Sequence, residues 1–209
     1  MDKNTAEINN RYSKIADNTI NLSCGKAVIP ELIKNGHICV DLGCGTGKDL
    51  IYLSGITGNN GFVYGIDITD KMVEKAIENT QKYNNIKVIK ADLTDIPLNN
   101  NSIDYITSNC VINHASDKLK AWKEINRILK KGGIFTISDI YSINIIEDKY
   151  KNDPALVSQC WAGAVTKKEY IDTLNNAGFF DIAILNESEP YNKEQSTLIS
   201  FTIKGTKRG

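Results

Sequence analysis

The feature that most constrains the fold is the segment at residues 38 to 47, which reads ICVDLGCGTG. Apolar residues interrupted by one carboxylate lead directly into glycines at every second position. A short apolar run of this kind is typical of a buried parallel strand. The glycines permit a tight turn and let a ligand approach the backbone closely. A helix predicted from Lys48 would offer its unpaired N–H groups to the same ligand.

Strand-like and helix-like segments alternate from that point along the chain. Strands are predicted at residues 38–42, 62–66, 86–90, 103–108, 134–138, 179–185 and 198–203, and helices at 48–56, 70–83, 117–129 and 168–177. Alternation at this spacing is typical of a doubly wound parallel sheet. The last two strands are joined too closely for a helical crossover, so we expect them to be antiparallel. The predicted fold is α/β and Rossmann-like, with a mostly parallel seven-stranded sheet and an antiparallel last strand.

Two short helices are predicted ahead of the first strand. The first, at residues 5 to 20, has an apolar face that contains Ile8 and Tyr12, and it either covers a ligand site or simply packs on the domain. The second, at residues 26 to 35, begins or breaks at Pro30 and ends at Gly36. The later helix at 70 to 83 has a predicted apolar face made of Met72, Val73, Ala76, Ile77 and Tyr83.

Composition excludes several classes of function. The chain has 25 basic and 25 acidic residues, so no overall field attracts nucleic acid or a membrane surface. It contains no apolar run of about 18 residues that could cross a membrane, and its first residues do not resemble an export signal. Five cysteines in such a chain fit a reducing compartment. We expect a cytoplasmic protein that binds neither nucleic acid nor membrane.

Three carboxylates lie at the strand ends where ligands bind in such sheets. Asp41 lies near the end of the first strand and precedes Gly43 by two residues. Asp67, at the end of the second strand, can accept hydrogen bonds from two ribose hydroxyls. Asp92 follows the third strand and can accept one from the exocyclic amine of adenine. Asp67 and Asp92 could instead be ordinary helix caps.

The glycine spacing separates two classes of nucleotide site. Glycines at 43, 45 and 47 depart from the G-x-G-x-x-G pattern of dinucleotide sites. Together with the three carboxylates, the series resembles the cofactor site of class I S-adenosylmethionine-dependent methyltransferases. The resemblance implies S-adenosylmethionine as the cofactor. Ile68 and Met72 could make apolar contacts with its adenine ring, but they are equally well explained as ordinary helix-packing residues. The implied cofactor-binding residues are Asp41, Gly43, Cys44, Gly45, Gly47, Asp67, Ile68, Met72, Asp92, Leu93 and Asn109.

The cysteines fall into two groups by position. Cys39, in the first strand, and Cys44, in the glycine loop, fit ordinary packing. Cys24 precedes the first strand, Cys110 follows the fourth, and Cys160 follows the fifth. These three can converge over the carboxyl edge of the sheet. From the fold alone, three unrelated free thiols are the favoured interpretation.

The segments around these three cysteines carry a narrower resemblance. They are CG at 24–25, SNCVIN at 108–113, SDK at 116–118, ILKKGG at 128–133, SDI at 138–140, CWAGA at 160–164, EY at 169–170 and AGF at 177–179. Together they resemble arsenite methyltransferases over about residues 20 to 205. The match is to a short form without the adjacent cysteine pair that many members carry upstream. His114 stands where the family usually has leucine, and it could lie near the acceptor or be a surface or packing residue.

The resemblance implies methyl transfer from S-adenosylmethionine to trivalent arsenic, as arsenite or methylarsenite. Cys24, Cys110 and Cys160 would be the catalytic residues and the arsenic ligands, because soft thiolates suit a soft ion. The implied partners are arsenite or its thiol conjugates and a thiol reductant of the glutathione or thioredoxin kind. Two alternatives stay open: methyl transfer to an organic small molecule, and non-catalytic metalloid binding.

No internal repeat or low-complexity linker divides the sequence, so we expect a single methyltransferase domain. Residues 1–36 would form an N-terminal helical cap, and residues 37–140 the cofactor-binding core. Residues 141–209 would form an acceptor-side segment and the C-terminal strand pair.

Overall fold

A mixed β-sheet forms the centre of the computed structural model, which describes residues 3–16 and 25–209. The strands are β1 (Ile38–Leu42), β2 (Phe62–Asp67), β3 (Ile86–Lys90), β4 (Ile103–Asn109), β5 (Leu129–Ser142), β6 (Phe179–Glu187), β7 (Tyr191–Lys193) and β8 (Ser196–Lys207). The helices are α1 (Lys3–Ile15), α2 (Lys48–Thr57), α3 (Asp70–Thr80), α4 (Lys118–Ile128), α5 (Asp148–Lys151), α6 (Pro154–Val157) and α7 (Lys167–Asn176). Single 3₁₀ turns lie at Pro30–Leu32, Ile112–His114 and Trp161–Gly163.

The strand order is β3-β2-β1-β4-β5-β8-β6, and β7 pairs with β8 outside this path. Strands β1 to β5 pair in parallel, whereas β8 runs antiparallel to both β5 and β6. The predicted Rossmann-like fold class is therefore confirmed. The strand order reverses between β1 and β4, which makes the carboxyl ends of these two strands the expected ligand site.

Alternate residues of β1 belong to different apolar clusters, so both faces of the sheet are covered. Val40 packs in the cluster that contains α4 and α7, and Cys39 packs in the cluster that contains α2. Trp122 of α4 contacts the rings of Phe135 and Phe179. Within the described residues, no helix is both long and apolar enough to cross a membrane.

The N-terminal prediction is wrong for its second helix. Residues 26 to 35 contain only the turn Pro30–Leu32. Ile29 is extended, as expected before a proline, and Ile33 is extended as well, so no helix propagates. The first helix is α1, which begins earlier than predicted, at Lys3. Residues 17–20 of that prediction lie outside the described residues.

Three further predictions need correction. The strand predicted at residues 134–138 begins earlier, at Leu129, because this residue already pairs with Ile103. Ile77 is 51% exposed, and α3 ends at Thr80, so the buried face of that helix is narrower than predicted. An eighth strand, β7, was not predicted, because its three residues are all exposed and carry no apolar alternation.

Ile125 and Ile77 offer a matched test of this packing, since both are isoleucines on helices. Ile125 of α4 is fully buried, whereas Ile77 of α3 is half-exposed. We expect Ile125→Ala to lower the free energy of unfolding by about 2–5 kcal/mol, because it leaves a cavity. Ile77→Ala should change it by less than about 0.5 kcal/mol. Urea denaturation measures both values, and equal losses would contradict the assigned core.

Candidate active site

A cavity of about 830 Å³ opens at the carboxyl ends of β1 to β4. Ten of the predicted cofactor-binding residues line it: Asp41, Gly43, Cys44, Gly45, Asp67, Ile68, Met72, Asp92, Leu93 and Asn109. Gly47 is not part of the lining and instead forms the N-cap of α2, with a φ of 87°. The strand ends therefore bring together most of what the sequence predicted.

The glycine loop has backbone conformations that other residues adopt only with strain. Gly43 has a φ of 67°, and a Cβ there would lie 2.2 Å from a methyl carbon of Val111. Gly45 has a φ of 52°, and a Cβ there would meet no atom within 4 Å. Gly43 thus allows close packing, while Gly45 leaves open space beside the cavity that it lines.

Asp67 connects the glycine loop to the start of α3. Its Oδ2 accepts a hydrogen bond from the Gly45 N–H at 2.9 Å, and its Oδ1 accepts one from the Thr69 N–H at 2.8 Å. Burial raises the pKa of Asp67, and these two donors act against that rise. A carboxylate has more acceptor sites than these two bonds use. The side chain can therefore hold the loop and still accept hydrogen bonds from ribose hydroxyls.

Asp41 and Asp92 also face the cavity, with different surroundings. Asp41 is buried, and no hydrogen bond to its carboxylate comes from residues 3–16 or 25–209. Burial raises its pKa well above the ordinary value, and the negative charges of Asp49 and Asp67 raise it further. The Oδ1 of Asp92 accepts two hydrogen bonds from Thr94, one from its N–H and one from its hydroxyl, both at 2.8 Å.

The surroundings of Asp41 fit the cofactor that the sequence predicts. A buried carboxylate without a donor is unfavourable, and a positively charged amino group beside it would remove that cost. S-adenosylmethionine carries such a group on its methionine part. With the open space at Gly45, the cavity can accommodate this cofactor.

Helix α1 forms part of the cavity wall, which favours the first of the two possibilities that the sequence left open. Asn4, Thr5, Ile8 and Tyr12 belong to the lining. Asn9 anchors the helix to the start of α3, because its Oδ1 accepts from the Asp70 N–H at 3.2 Å. The predicted apolar face contains Ile8 and Tyr12, but a helical pattern alone does not reveal what that face covers.

Cys110 and Cys160 lie close together beside the cavity. Cys110 follows β4 and belongs to the lining, whereas Cys160 precedes the turn Trp161–Gly163 and does not. Their two sulfurs and a carboxylate oxygen of Asp139 all lie within 4.8 Å of one another. Cys24, the third predicted ligand, lies outside the described residues.

The backbone is strained at both of these cysteines. Cys110 has a φ of 56° and Cys160 a φ of 73°, which residues other than glycine seldom adopt. Backbone hydrogen bonds hold them: the Cys110 N–H donates to the Ser138 carbonyl at 2.8 Å, and the Cys160 N–H donates to the Val157 carbonyl at 2.9 Å. Such strain often marks a functional site. No feature of the sequence predicts it.

The protonation states of this cluster follow from burial. Burial raises the pKa of the Cys160 thiol well above its ordinary value, and the Asp139 charge adds to the rise. Cys160 is therefore a protonated thiol until a soft ion replaces its proton. Cys110 is disulfide-bonded in this structure, so its thiolate becomes available only after reduction.

Asp139 is a member of the site that the sequence analysis missed. Its Oδ1 accepts from the Asn113 side-chain amide at 2.8 Å and from the Ile140 N–H at 2.9 Å. Its Oδ2 is buried and has no partner among the described residues. Burial raises the pKa of this carboxyl to about 7. The SDI motif at 138–140 contained Asp139, but nothing in the motif indicated that it would face the cysteines.

His114 is buried and belongs to the cavity lining, so it is not a surface residue. Its Nδ1 lies 3.1 Å from the Val157 carbonyl oxygen, and its Nε2 lies 3.0 Å from the Tyr12 hydroxyl. A carbonyl can only accept, so Nδ1 carries the proton and Nε2 accepts from Tyr12. Burial lowers the pKa of His114 to about 4, which keeps the ring neutral.

Comparison with known proteins identifies the class to which this fold and site belong. A family model described as a methyltransferase domain matches residues 33–178. The chain therefore belongs to this family, and the predicted relationship to S-adenosylmethionine-dependent methyltransferases is confirmed. The cavity at the carboxyl ends of β1 to β4 is our candidate for the cofactor site.

Individual relatives narrow the comparison. The structure of CrArsM, an arsenic(III) S-adenosylmethionine methyltransferase from Chlamydomonas reinhardtii, matches with a TM-score of 0.76 at 25% identity, covering 92% of this chain and 72% of that one. Arsenite methyltransferase from Halobacterium salinarum is 31% identical, over 85% of this chain and 46% of that protein. Demethylmenaquinone methyltransferase from Staphylococcus aureus is 38% identical, over 49% of this chain and 42% of that protein. The chain thus spans about half the length of the curated relatives that it matches.

The raised pKa of Asp41 predicts how cofactor affinity depends on pH. Protonation removes the charge that attracts the amino group, so affinity for S-adenosylhomocysteine should fall as the pH is lowered through the raised pKa of this carboxyl. Asp41→Asn should bind more weakly at pH 8 and show a flatter pH dependence. Isothermal titration calorimetry from pH 8 to pH 5.5 measures both. Parallel profiles for the two proteins would rule out this role for Asp41.

Proposed function

We propose that the chain transfers methyl groups from S-adenosylmethionine to trivalent arsenic held by cysteine thiolates. The observation that carries the proposal is the position of the cysteine pair: Cys110 lines the cofactor cavity, and its sulfur lies within 4.8 Å of the Cys160 sulfur. A substrate bound to both sulfurs would therefore lie next to the cofactor. The substrates would be arsenite and methylarsenite. The similarity to two arsenic methyltransferases supports this choice of acceptor.

The chemistry of trivalent arsenic explains why thiols would line the acceptor side. Arsenic is soft and prefers sulfur ligands. Each As–S bond would form as an As–O bond breaks, and the thiol proton would leave with the hydroxide as water. Cys110 and Cys160 would supply two ligands, and Cys24 is the proposed third. Three sulfurs leave the arsenic lone pair directed away from them.

The protein's contribution would be mainly positioning. S-adenosylmethionine supplies an electrophilic methyl group when bound. Asp41 would hold its amino group, Asp67 its ribose, and Asp92 with Leu93 its adenine. Because the arsenic lone pair carries no proton, the transfer needs no general base, and correct alignment is what the site must provide. Helix α1 would keep water out of the cavity that it covers.

Reducing conditions would be part of this function. Cys110 is disulfide-bonded in the structure, and a disulfide sulfur cannot bind arsenic as a thiolate. A thiol reductant of the glutathione or thioredoxin kind is therefore a proposed partner. Arsenite could arrive free or as a thiol conjugate. A cytoplasmic location would supply such reductants.

The second candidate is methyl transfer to an organic small molecule. The 38% identity to demethylmenaquinone methyltransferase over half of this chain favours it. In that case Cys110 and Cys160 would only line the acceptor side of the pocket. Arsenite would then bind weakly and would not be methylated.

Replacement of Cys160 tests the arsenic-binding role, and Cys39 provides the matched control. Cys39 is a fully buried cysteine of β1 and is not part of the cavity lining. We expect Cys160→Ala to reduce methylarsenical formation by about 10-fold to 100-fold or more, because a ligand is lost. Cys39→Ala should keep most of the activity, and both variants should bind S-adenosylhomocysteine normally. Chromatography of arsenic products measures the rates, and undiminished turnover in Cys160→Ala would exclude the proposed ligand.

A further inference from the structure

The imidazole of His114 contacts the turn that presents Cys160. Its Nδ1–H donates to the Val157 carbonyl at 3.1 Å, and the same carbonyl accepts the Cys160 N–H at 2.9 Å. The ring and the cysteine amide therefore share one acceptor. A shift of the ring would shift the turn in which Cys160 has its left-handed conformation.

His114 is equally connected to the turn that presents Cys110. It lies four residues later, and its own N–H donates to the Val111 carbonyl at 2.9 Å, which closes the turn Ile112–His114. The Cys110 backbone also interacts with the ring. One buried side chain thus touches the backbone on both sides of the cysteine pair. Strained conformations such as those of Cys110 and Cys160 persist only where surrounding contacts hold them.

The other side of the ring faces helix α1. Nε2 accepts a hydrogen bond from the Tyr12 hydroxyl at 3.0 Å, and the two rings meet edge to face, with centroids 5.6 Å apart. A neutral imidazole with a donor at one end and an acceptor at the other fits both neighbours at once. An aliphatic side chain could make neither bond.

From these contacts we propose that His114 is a positioning residue that fixes the spacing between the Cys110 and Cys160 sulfurs, and so sets the affinity of the pair for a thiophilic ion. For arsenite, this inference rests on the proposed function. His114 acts through the Val157 carbonyl and the Cys110 turn, not through contact with the reacting atoms. Its bond to Val157 is the one that matters for the spacing.

Two substitutions of similar size distinguish the hydrogen bond at Nδ1 from the hydrogen bond at Nε2. His114→Asn can place an amide N–H near the position of Nδ1. This variant can therefore keep the hydrogen bond to the Val157 carbonyl, but it loses the hydrogen bond from the Tyr12 hydroxyl. His114→Gln can place an amide oxygen near the position of Nε2. This variant can therefore keep the hydrogen bond from the Tyr12 hydroxyl, but it loses the hydrogen bond to the Val157 carbonyl. Tyr12→Phe removes the hydroxyl from the other side. Circular dichroism reports whether each variant remains folded.

The first measurement uses arsenite and the reduced enzyme. Quenching of Trp161, which is buried next to Cys160, gives the dissociation constant, and product analysis gives kcat and KM. We expect His114→Gln to raise the dissociation constant and KM for arsenite about tenfold or more, while His114→Asn stays within about threefold of wild type. S-adenosylhomocysteine affinity is measured for the same variants, because His114 also lines the cofactor cavity. Equal arsenite affinity in the two variants, or an equal loss of both ligands, would overturn the proposal.

A second measurement does not depend on arsenic being the substrate. Cd²⁺ binds thiolate pairs and gives a sulfur-to-metal absorption band, so it probes the spacing of the two sulfurs directly. Cd²⁺ affinity should fall about tenfold in His114→Gln and much less in His114→Asn. A wild-type enzyme that does not methylate arsenite but shows this difference would overturn only the proposed function. Methylation of arsenite, with no difference between the variants for either ion, would overturn only the role of His114.

Discussion

The two hydrogen bonds of the Asp67 carboxylate are the interaction on which the rest of the site depends. One bond holds the Gly45 amide and the other holds the Thr69 amide, so a single side chain at the end of β2 fixes both the glycine loop and the start of α3. Helix α1 is in turn anchored to the start of α3 through Asn9 and Asp70. The glycine loop and helix α1, which lie on different sides of the cavity, are therefore both held in place through the start of α3 and Asp67.

The acceptor side is supported differently, by buried polar contacts between distant segments. Asn113 donates to Asp139, and His114 joins the turns around Cys110 and Cys160. These contacts allow two cysteines in strained conformations to lie beside one cavity. A buried polar network of this kind is favourable only when its members are satisfied. Among the described residues, the Oδ2 of Asp139 has no hydrogen-bond partner, so this network is not fully satisfied.

The sequence predicted most of the residues that meet at the carboxyl edge of the sheet, and it predicted the surroundings of the cysteine pair only in outline. Asp41, Asp67 and Asp92 were predictable because parallel strands bring their carboxyl ends to one edge of the sheet, and all three residues lie at or near such an end. Asp139 and His114 were not assigned, since their roles depend on contacts between segments far apart in the chain. The helix predicted at residues 26–35 does not form, because the residue before Pro30 is extended and Ile33 is extended as well. The short strand β7 forms only because β8 is there to pair with it.

We propose that one site brings a methyl donor and a thiolate-bound arsenic atom together. This proposal is tested most directly by incubating the reduced wild-type protein with S-adenosylmethionine, arsenite and a thiol. Mass spectrometry then quantifies S-adenosylhomocysteine and methylated arsenic in the same samples. We expect the two products to rise together, with one S-adenosylhomocysteine released for each methyl group found on arsenic. Absence of methylated arsenic, while an organic acceptor supports turnover, would contradict it.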